Sequence, residues 1–327
     1  MNTKTKYLGL ELKNPIVVSS SRLTSSYDKV MEIIEHGAGA VVLKSLFEEQ
    51  IINDIEGTLR DNEMYFWYPE ATEFVKNISK EHGVNEYIKF IKKIKSNTAT
   101  PIIASVNCTT SQQWPAFAKE LQNAGADALE LNIAIFPHDA TIESRDIENL
   151  YIDIVKAVKQ HVQIPIAVKL GAQFTNIPQM VSRLDAAGVQ GLVLFNRFFR
   201  PDINIETGEI SHSHYLSDPA EMTESLRWIS LLAPKTRCDL IANTGIHDYK
   251  AIVKQLMAGA AAVQLTSVLY KKGVPYLATM IGELQTWMKR KNIDSIDEIH
   301  INTKPGSANA AEFERIQFLR RTTGILS

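Results

Sequence analysis

The sequence predicts a (β/α)8 barrel, in which eight parallel strands alternate with helices. Three observations predict it. The same punctuation recurs four times, in EHGAGAVVLK (35–44), NAGADALELN (123–132), AAGVQGLVLFN (186–196) and MAGAAAVQLT (257–266). Each is a helix end, a glycine suited to left-handed backbone, and an apolar run. Four further apolar runs interleave with these: PIVVSS (15–20), PIIASV (101–106), PIAVKL (165–170) and CDLIAN (238–243). A helix-length segment follows every run. Runs of Val, Ile, Leu and Ala with little alternation mark strands buried on both faces. Eight such units favour a closed barrel over a doubly wound sheet, because no dinucleotide-type glycine fingerprint is present. Their irregular spacing argues against a solenoid.

In chain order the helices are expected near 27–36, 85–96, 112–124, 144–160, 177–187, 219–232, 248–258 and 275–291, with Ser111, Asp218 before Pro219, and Asp248 as caps. Two connections exceed simple βα loops. The one from Leu46 to Glu81 carries Tyr65, Phe66, Trp67 and Tyr68. The one from Phe198 to Ser217 contains DINIETGEI, which reads as a hairpin turning at Thr207-Gly208. No linker interrupts the chain, so one domain is expected over residues 1–327. A net charge of −2 gives no electrostatic reason for nucleic acid or an anionic membrane as partner. Cys108 and Cys238 lie far apart without metal spacing and read as buried, reduced residues. With no apolar run of 18 residues and no apolar signal core, a soluble, cytoplasmic protein is expected.

In a barrel, chemistry belongs to the C-terminal strand tips. Here these are Ser19-Ser20-Ser21, Lys44-Ser45, Asn107-Cys108, Asn132, Lys169, Asn196-Arg197, Asn243-Thr244-Gly245 and Thr266-Ser267. A lysine closing a buried strand needs a counter-charge or an anionic ligand. Lys44 and Lys169 therefore read as functional, with ion pairs in the barrel mouth as the alternative. The asparagines suit recognition of a planar heterocycle, or satisfy neighbouring backbone. Residues 239–267 read as the last βαβ unit, with a helix starting just after Gly245 whose free N–H groups would grip phosphate between the last two strand loops. A phosphate grip, two lysines and a ring of amides suit flavin mononucleotide (FMN). A lysine at the flavin's pyrimidine edge would stabilise the charge that develops on reduction.

At these residues the chain resembles the dihydroorotate dehydrogenase family, the FMN-dependent barrels of pyrimidine synthesis. The resemblance runs through LGLELKNPIVVSSS, Lys44-Ser45, ELN (130–132), AVKL (167–170), Asn196, ANTGI and VQLTS. It implies flavin contacts from Ser19, Ser20, Ser21, Lys44, Ser45, Asn107, Asn243 and Lys169. Substrate would lie between Asn132 and Asn196, and phosphate would sit on Thr244, Gly245, Thr266 and Ser267. The resemblance would give the catalytic roles to Lys44, Lys169 and Asn132. The chain starts directly at the barrel, which resembles the soluble, homodimeric branch.

The departures concern proton transfer. In LNIAIFPHD the family's catalytic Cys or Ser position falls on Ile135, or on Phe136 with one insertion, and the Asn after it becomes Pro137 or His138. EMYFWYPE lacks the family's substrate-binding Asn, and Thr244 and Thr266 stand where the family has Gly. Either Cys108, His138 or Tyr65 replaces the base, or the substrate differs. Arg197 would clamp an anionic group, or pair with Asp202 or Glu206, and the aromatic loop 65–68 would close over a planar ring. The expected activity is hydride transfer between FMN and dihydroorotate or a related small cyclic anion. A barrel lyase or aldolase using Lys169 or Lys44 as a Schiff base is one alternative. A catalytically silent flavin- or pyrimidine-binding protein is another.

Overall fold

The chain enters through a hairpin, β1 (Thr5–Tyr7) and β2 (Leu10–Leu12), before its first barrel strand, β3 (Ile16–Val18). The computed structural model describes residues 1–51, 84–112, 114–135, 139–198, 200–211 and 215–301. The strands that follow are β4 (Ala40–Val42), β5 (Leu46–Phe47), β6 (Ile102–Cys108), β7 (Ala128–Ile133), β8 (Ile166–Leu170) and β9 (Gly191–Leu194). A second hairpin, β10 (Asp202–Ile203) and β11 (Ile210–Ser211), precedes β12 (Asp239–Ala242) and β13 (Ala262–Leu265). Parallel pairing runs β3-β4-β6-β7-β8-β9-β12-β13 and returns to β3, closing the (β/α)8 barrel of eight strands.

The period-2 alternation of each strand divides its side chains between two apolar layers. Ile16, Val18, Leu129, Leu131, Val168 and Leu170 face outward into the layer under the helices. Val17, Ala40, Val42, Ile103, Ala128, Ala167, Val193, Ile241 and Ala262 face inward, where Tyr7, Leu8 and Leu12 of the first hairpin join them. That hairpin plugs the N-terminal end of the barrel. Its turn residues Leu8 and Gly9 have φ of 56° and 74°, the left-handed pair of a tight hairpin turn. Leu8 N–H donates to Asp239 Oδ2 at 2.7 Å. A Cβ on Gly191 would meet Leu8 Cδ2 at 2.5 Å, so a glycine there makes room for the plug.

β5 prolongs β4 across an extra residue. Val42 pairs with Ile103 and Leu46 with Val106, so four steps on one strand oppose three on the other. This bulge carries Lys44 and Ser45, and bulges re-aim side chains next to active sites.

Among the described residues the helices are α1 (Tyr27–Glu35), α2 (Val84–Lys95), α3 (Ala118–Asn123), α4 (Ser144–Lys159), α5 (Ile177–Ala186), α6 (Met222–Leu232), α7 (Tyr249–Ala258), α8 (Ser267–Lys272), α9 (Tyr276–Arg290) and α10 (Ile296–Ile301). Eight of them match the expected segments, and α8 and α10 are additional. The segment expected at 112–124 opens as a 3-10 turn, Trp114–Phe117, around Pro115, which lacks an N–H. Ser111 therefore lies ahead of that element rather than at its cap. Asp218 and Glu221 form a reciprocal capping box before α6. The hairpin expected around Thr207-Gly208 is present as β10–β11, with Gly208 at φ 71°. The aromatic cluster Tyr65–Tyr68 lies outside the described residues. Both cysteines are buried and free. Among the described residues no helix is long and apolar enough to cross a membrane.

Candidate active site

Continuing each inner face beyond its last apolar residue reaches the site. One inward position further along are Ser19 on β3, Ser105 on β6, Glu130 on β7, Lys169 on β8 and Gln264 on β13. Four of these close a buried ring. Lys169 Nζ donates to Ser19 Oγ at 3.3 Å, and Ser19 Oγ donates to Gln264 Oε1 at 3.1 Å. Gln264 Nε2 donates to Glu130 Oε2 at 2.5 Å, and Glu130 Oε1 lies 3.9 Å from Lys169 Nζ. Lys169 is 6% exposed, Glu130 and Gln264 not at all. Burial lowers the Lys169 pKa, and the Glu130 carboxylate works against that fall.

Above this ring opens a cavity of about 200 Å³ between the tips of β3, β8, β12 and β13. Ser19, Ser20, Lys169, Asn196, Arg197, Asn243, Thr244, Gly245, Thr266 and Ser267 all line it, as do Tyr215 and Ser217. Ser21, Lys44, Ser45, Asn107 and Asn132 do not line it but stand beside it. Asn196 Nδ2 donates to Asn132 Oδ1 at 2.8 Å, and Asn107 sits opposite Asn132 in the sheet. Ser45 Oγ lies 3.1 Å from Ser20 Oγ and 2.8 Å from Ser105 Oγ. Ser21 caps the 3-10 turn Arg22–Thr24 through Leu23 N–H. Lys44 N–H donates to Thr24 O at 3.2 Å. Its ammonium pKa is pulled down to about 8 by burial and by Arg22.

The helix after β12 carries the expected Asp248 cap and so does not start at the Gly245 turn. α7 begins at Tyr249 rather than just after Gly245, and the Asp248 carboxylate takes the Ala251 N–H at 2.8 Å. The Asp248 carboxylate therefore takes one of the free N–H groups at the start of α7. The turn is instead built from Thr244 and Gly245, both left-handed at φ 77° and 76°. Thr244 Oγ1 and Asn243 Nδ2 both donate to Phe195 O, at 3.2 and 2.7 Å. Thr266 Oγ1 donates to main-chain oxygens of Leu265 and Ser19. Ser217 ties the two turns together. It accepts from Gly245 N–H at 3.3 Å, and its own N–H donates to Ser267 Oγ at 3.0 Å. Its Oγ lies 3.2 Å from Nε2 of His247, a ring whose pKa is lowered mainly by burial.

Arg197 pairs with neither Asp202 nor Glu206. Its Nε donates to Glu221 Oε2 at 2.9 Å, and Arg200 joins the same carboxylate at 3.2 Å. Cys108 is excluded as a base: it faces the outer core, fully buried, and burial pushes its thiol pKa well up. Ile135 packs against that core too. Phe136, Pro137, His138 and Tyr65 lie outside the described residues. Glu130, Gln264, Ser217 and His247 were not foreseen. Glu130 and Gln264 had a signal, a polar residue inside a buried run, as in ALELN and AVQLT. Ser217 had none.

The donor set fits a phosphorylated planar group: a buried lysine, the asparagines Asn196 and Asn243, and the hydroxyls of Thr244, Thr266 and Ser267 around one cavity. A family model described as dihydroorotate dehydrogenase matches residues 2–288. The catalytic subunit of dihydroorotate dehydrogenase B (NAD(+)) from Thermoplasma volcanium is 28% identical over 306 residues, covering 90% of this chain and 96% of its own. The same-named subunit of Thermoplasma acidophilum is 25% identical, with 90% and 96% covered. That of Methanocaldococcus jannaschii is 28% identical over 308 residues, again with 90% and 96% covered. The chain belongs to the dihydroorotate dehydrogenase family.

Proposed function

We propose that the chain is an FMN-dependent oxidoreductase acting on a CH–CH bond of dihydroorotate or a closely related small cyclic anion. The observation that carries this is Lys169, a buried ammonium at a strand tip that opens onto a polar cavity between β3, β12 and β13. FMN, when bound, supplies the two-electron acceptor for the substrate's hydride. Lys169 would stand at the flavin's pyrimidine edge, where a positive charge favours the reduced, more negative ring. Ser19, Ser20 and Ser21 would contact the ring system, with Asn107 and Asn243 at its margin. Thr244, Gly245, Thr266 and Ser267 would hold the phosphate through their turns.

The Asn132–Asn196 pair would bind the planar amide edge of the substrate, flanked by Lys44 and Ser45. Arg197, anchored by Glu221, adds positive charge for an anionic substituent. The protein works in the cytoplasm as a homodimer. The exposed apolar side chains Ile203, Ile205 and Ile210 of the β10–β11 hairpin supply a surface for that contact.

The family's base position falls on Ile135, or on Phe136 with one insertion, and neither takes a proton; this favours a related cyclic substrate over dihydroorotate itself, because a positioned general base is worth about 10²- to 10⁴-fold. The test is an anaerobic absorbance titration of the purified protein with dihydroorotate. Bleaching of bound flavin identifies dihydroorotate as substrate. Flavin that stays oxidised with dihydroorotate but bleaches with dithionite points to the related substrate. Failure to bind FMN on reconstitution overturns the flavin reading and favours a Schiff-base lyase, which borohydride trapping would reveal.

A further inference from the structure

Glu130 lies one inward position below Asn132 on β7 and is fully buried. One of its carboxylate oxygens accepts from Gln264 Nε2, while the other, Oε1, has no hydrogen-bond partner and stands 3.9 Å from Lys169 Nζ. A buried carboxylate with an oxygen left open persists only beside a compensating charge, and Lys169 is that charge. The dependence is mutual. Ser19 and Gln264, the other members of the ring, are neutral, so within the ring Glu130 alone opposes the neutralisation of Lys169 by burial. Glu130 also acts on the phenols of Tyr7, from the hairpin plug, and Tyr87, from α2. Both are driven up by burial first and by Glu130 after it, and so stay neutral. Asp239 on β12 acts on Tyr7 from the same interior.

We propose that Glu130 is a positioning residue that keeps Lys169 protonated at the floor of the site, through a carboxylate that touches neither substrate nor flavin. Replacing it with Gln leaves the burial of Lys169 unchanged and removes the opposing charge. Lys169 then releases its proton at lower pH, and the cation beneath the flavin's pyrimidine edge is lost in the working range. Only this last consequence rests on the flavin reading.

The experiment uses the full chain labelled with 13Cε-lysine, as wild type, E130Q, E130D and K169R. The Lys169 Cε resonance, assigned by its loss in K169R, is followed against pH with and without FMN. The expected midpoint in E130Q is at least about one pH unit below wild type, the scale of an opposite charge a few ångströms away. E130D, whose carboxylate is drawn back by one methylene, should fall between the two. In the FMN-loaded protein, the flavin midpoint potential should drop in E130Q wherever only the wild-type Lys169 is charged. A Lys169 midpoint unchanged in both E130Q and E130D overturns the proposal. If E130Q does not fold, E130D alone decides by the same criterion. If no variant binds FMN and the Lys169 midpoint still falls, the flavin reading fails and the hold of Glu130 on Lys169 stands.

Discussion

Replacing Gly245 with alanine probes the turn on which the phosphate end of the site depends. Gly245 has φ 76°, and a Cβ there would meet Met222 N at 2.2 Å and Glu221 C at 2.9 Å. Both contacts are backbone, so no side-chain rotation relieves them. Left-handed backbone costs alanine about 1–2 kcal/mol. Forcing the turn and the 221–222 segment apart adds about 1–3 kcal/mol on the scale of overpacking. The expected loss is about 2–5 kcal/mol. Glu221 also anchors Arg197 at 2.9 Å, so the displaced segment carries that anchor with it. Urea unfolding measures the stability loss, and flavin fluorescence quenching measures the accompanying loss of FMN affinity.

The neighbouring change Thr244→Gly is the control. It relieves a β-branched residue at φ 77°, worth about 1–3 kcal/mol. It also forfeits the hydroxyl bond to Phe195 O, about 0.5–1.5 kcal/mol, and adds about 0.5–1 kcal/mol of backbone entropy. These terms nearly cancel, so T244G should stay within about 1 kcal/mol of wild type. A G245A protein as stable as T244G, with FMN binding intact, would refute the packing of the turn against Glu221–Met222.

Lys44 titrates at about 8 in the folded protein, below the ordinary lysine value. A lowered lysine is charged in both folded and unfolded states below that pH, and the folded state releases its proton first as pH rises. Stability should therefore climb between about pH 8 and 10, while anionic substrate binding weakens through pH 8. KM and urea midpoints measured from pH 6.5 to 9.5 should show both trends in wild type, with the stability slope smaller in K44M, where only the other burial-lowered lysines such as Lys13 and Lys169 contribute. Cys108 and Cys238 are 0% and 6% exposed, and burial raises both thiols, that of Cys238 to about 11. Neither should react with Ellman's reagent in native buffer, and both should in urea; rapid native reaction would contradict the burial. Ile205 is 89% exposed on the β10–β11 hairpin, so Ile205→Lys should leave stability within about 0.5 kcal/mol. Sedimentation velocity should then show monomer, and a persistent dimer would place the contact elsewhere.

The barrel was legible because parallel strands buried on both faces leave near-continuous apolar runs, and the glycine before every second run marks a helix end. What stayed hidden depended on partners remote in sequence. Tyr7 and Leu8 lie in a short stretch beside Lys4, Lys6 and Glu11, and their partners Gly191 and Asp239 arrive only when the barrel closes. For Arg197 the sequence offers an anion clamp or, as the alternative, an acid of its own loop, whereas Glu221, beyond that loop, reaches the guanidinium. The phosphate turn shows two local signals in competition. Gly245 suggested an immediate helix start, but Asp248 is the stronger cap and sets the start at Tyr249. The extra residue between β4 and β5 leaves no compositional trace, since Lys44-Ser45 reads equally well as a plain strand tip.

One period-2 face of each strand serves both the fold and the chemistry, divided by depth. Inward positions read Ala128, Glu130, Asn132 along β7, Ile103, Ser105, Asn107 along β6, and Ala262, Gln264, Thr266 along β13. Two residues advance a strand by about 6.6 Å, so the change from apolar core to polar site occupies a single inward position on each strand. The outward phase, with Leu129, Leu131, Val168 and Leu170, stays apolar throughout because helices cover it at every depth. Substitutions on the inner face should therefore sort by depth. Those at the Ala128 position act on stability, and those at the Asn132 position act on ligand binding. At the Glu130 position the two are inseparable, because a side chain there is buried as deeply as the core while its charge still reaches the site through Lys169.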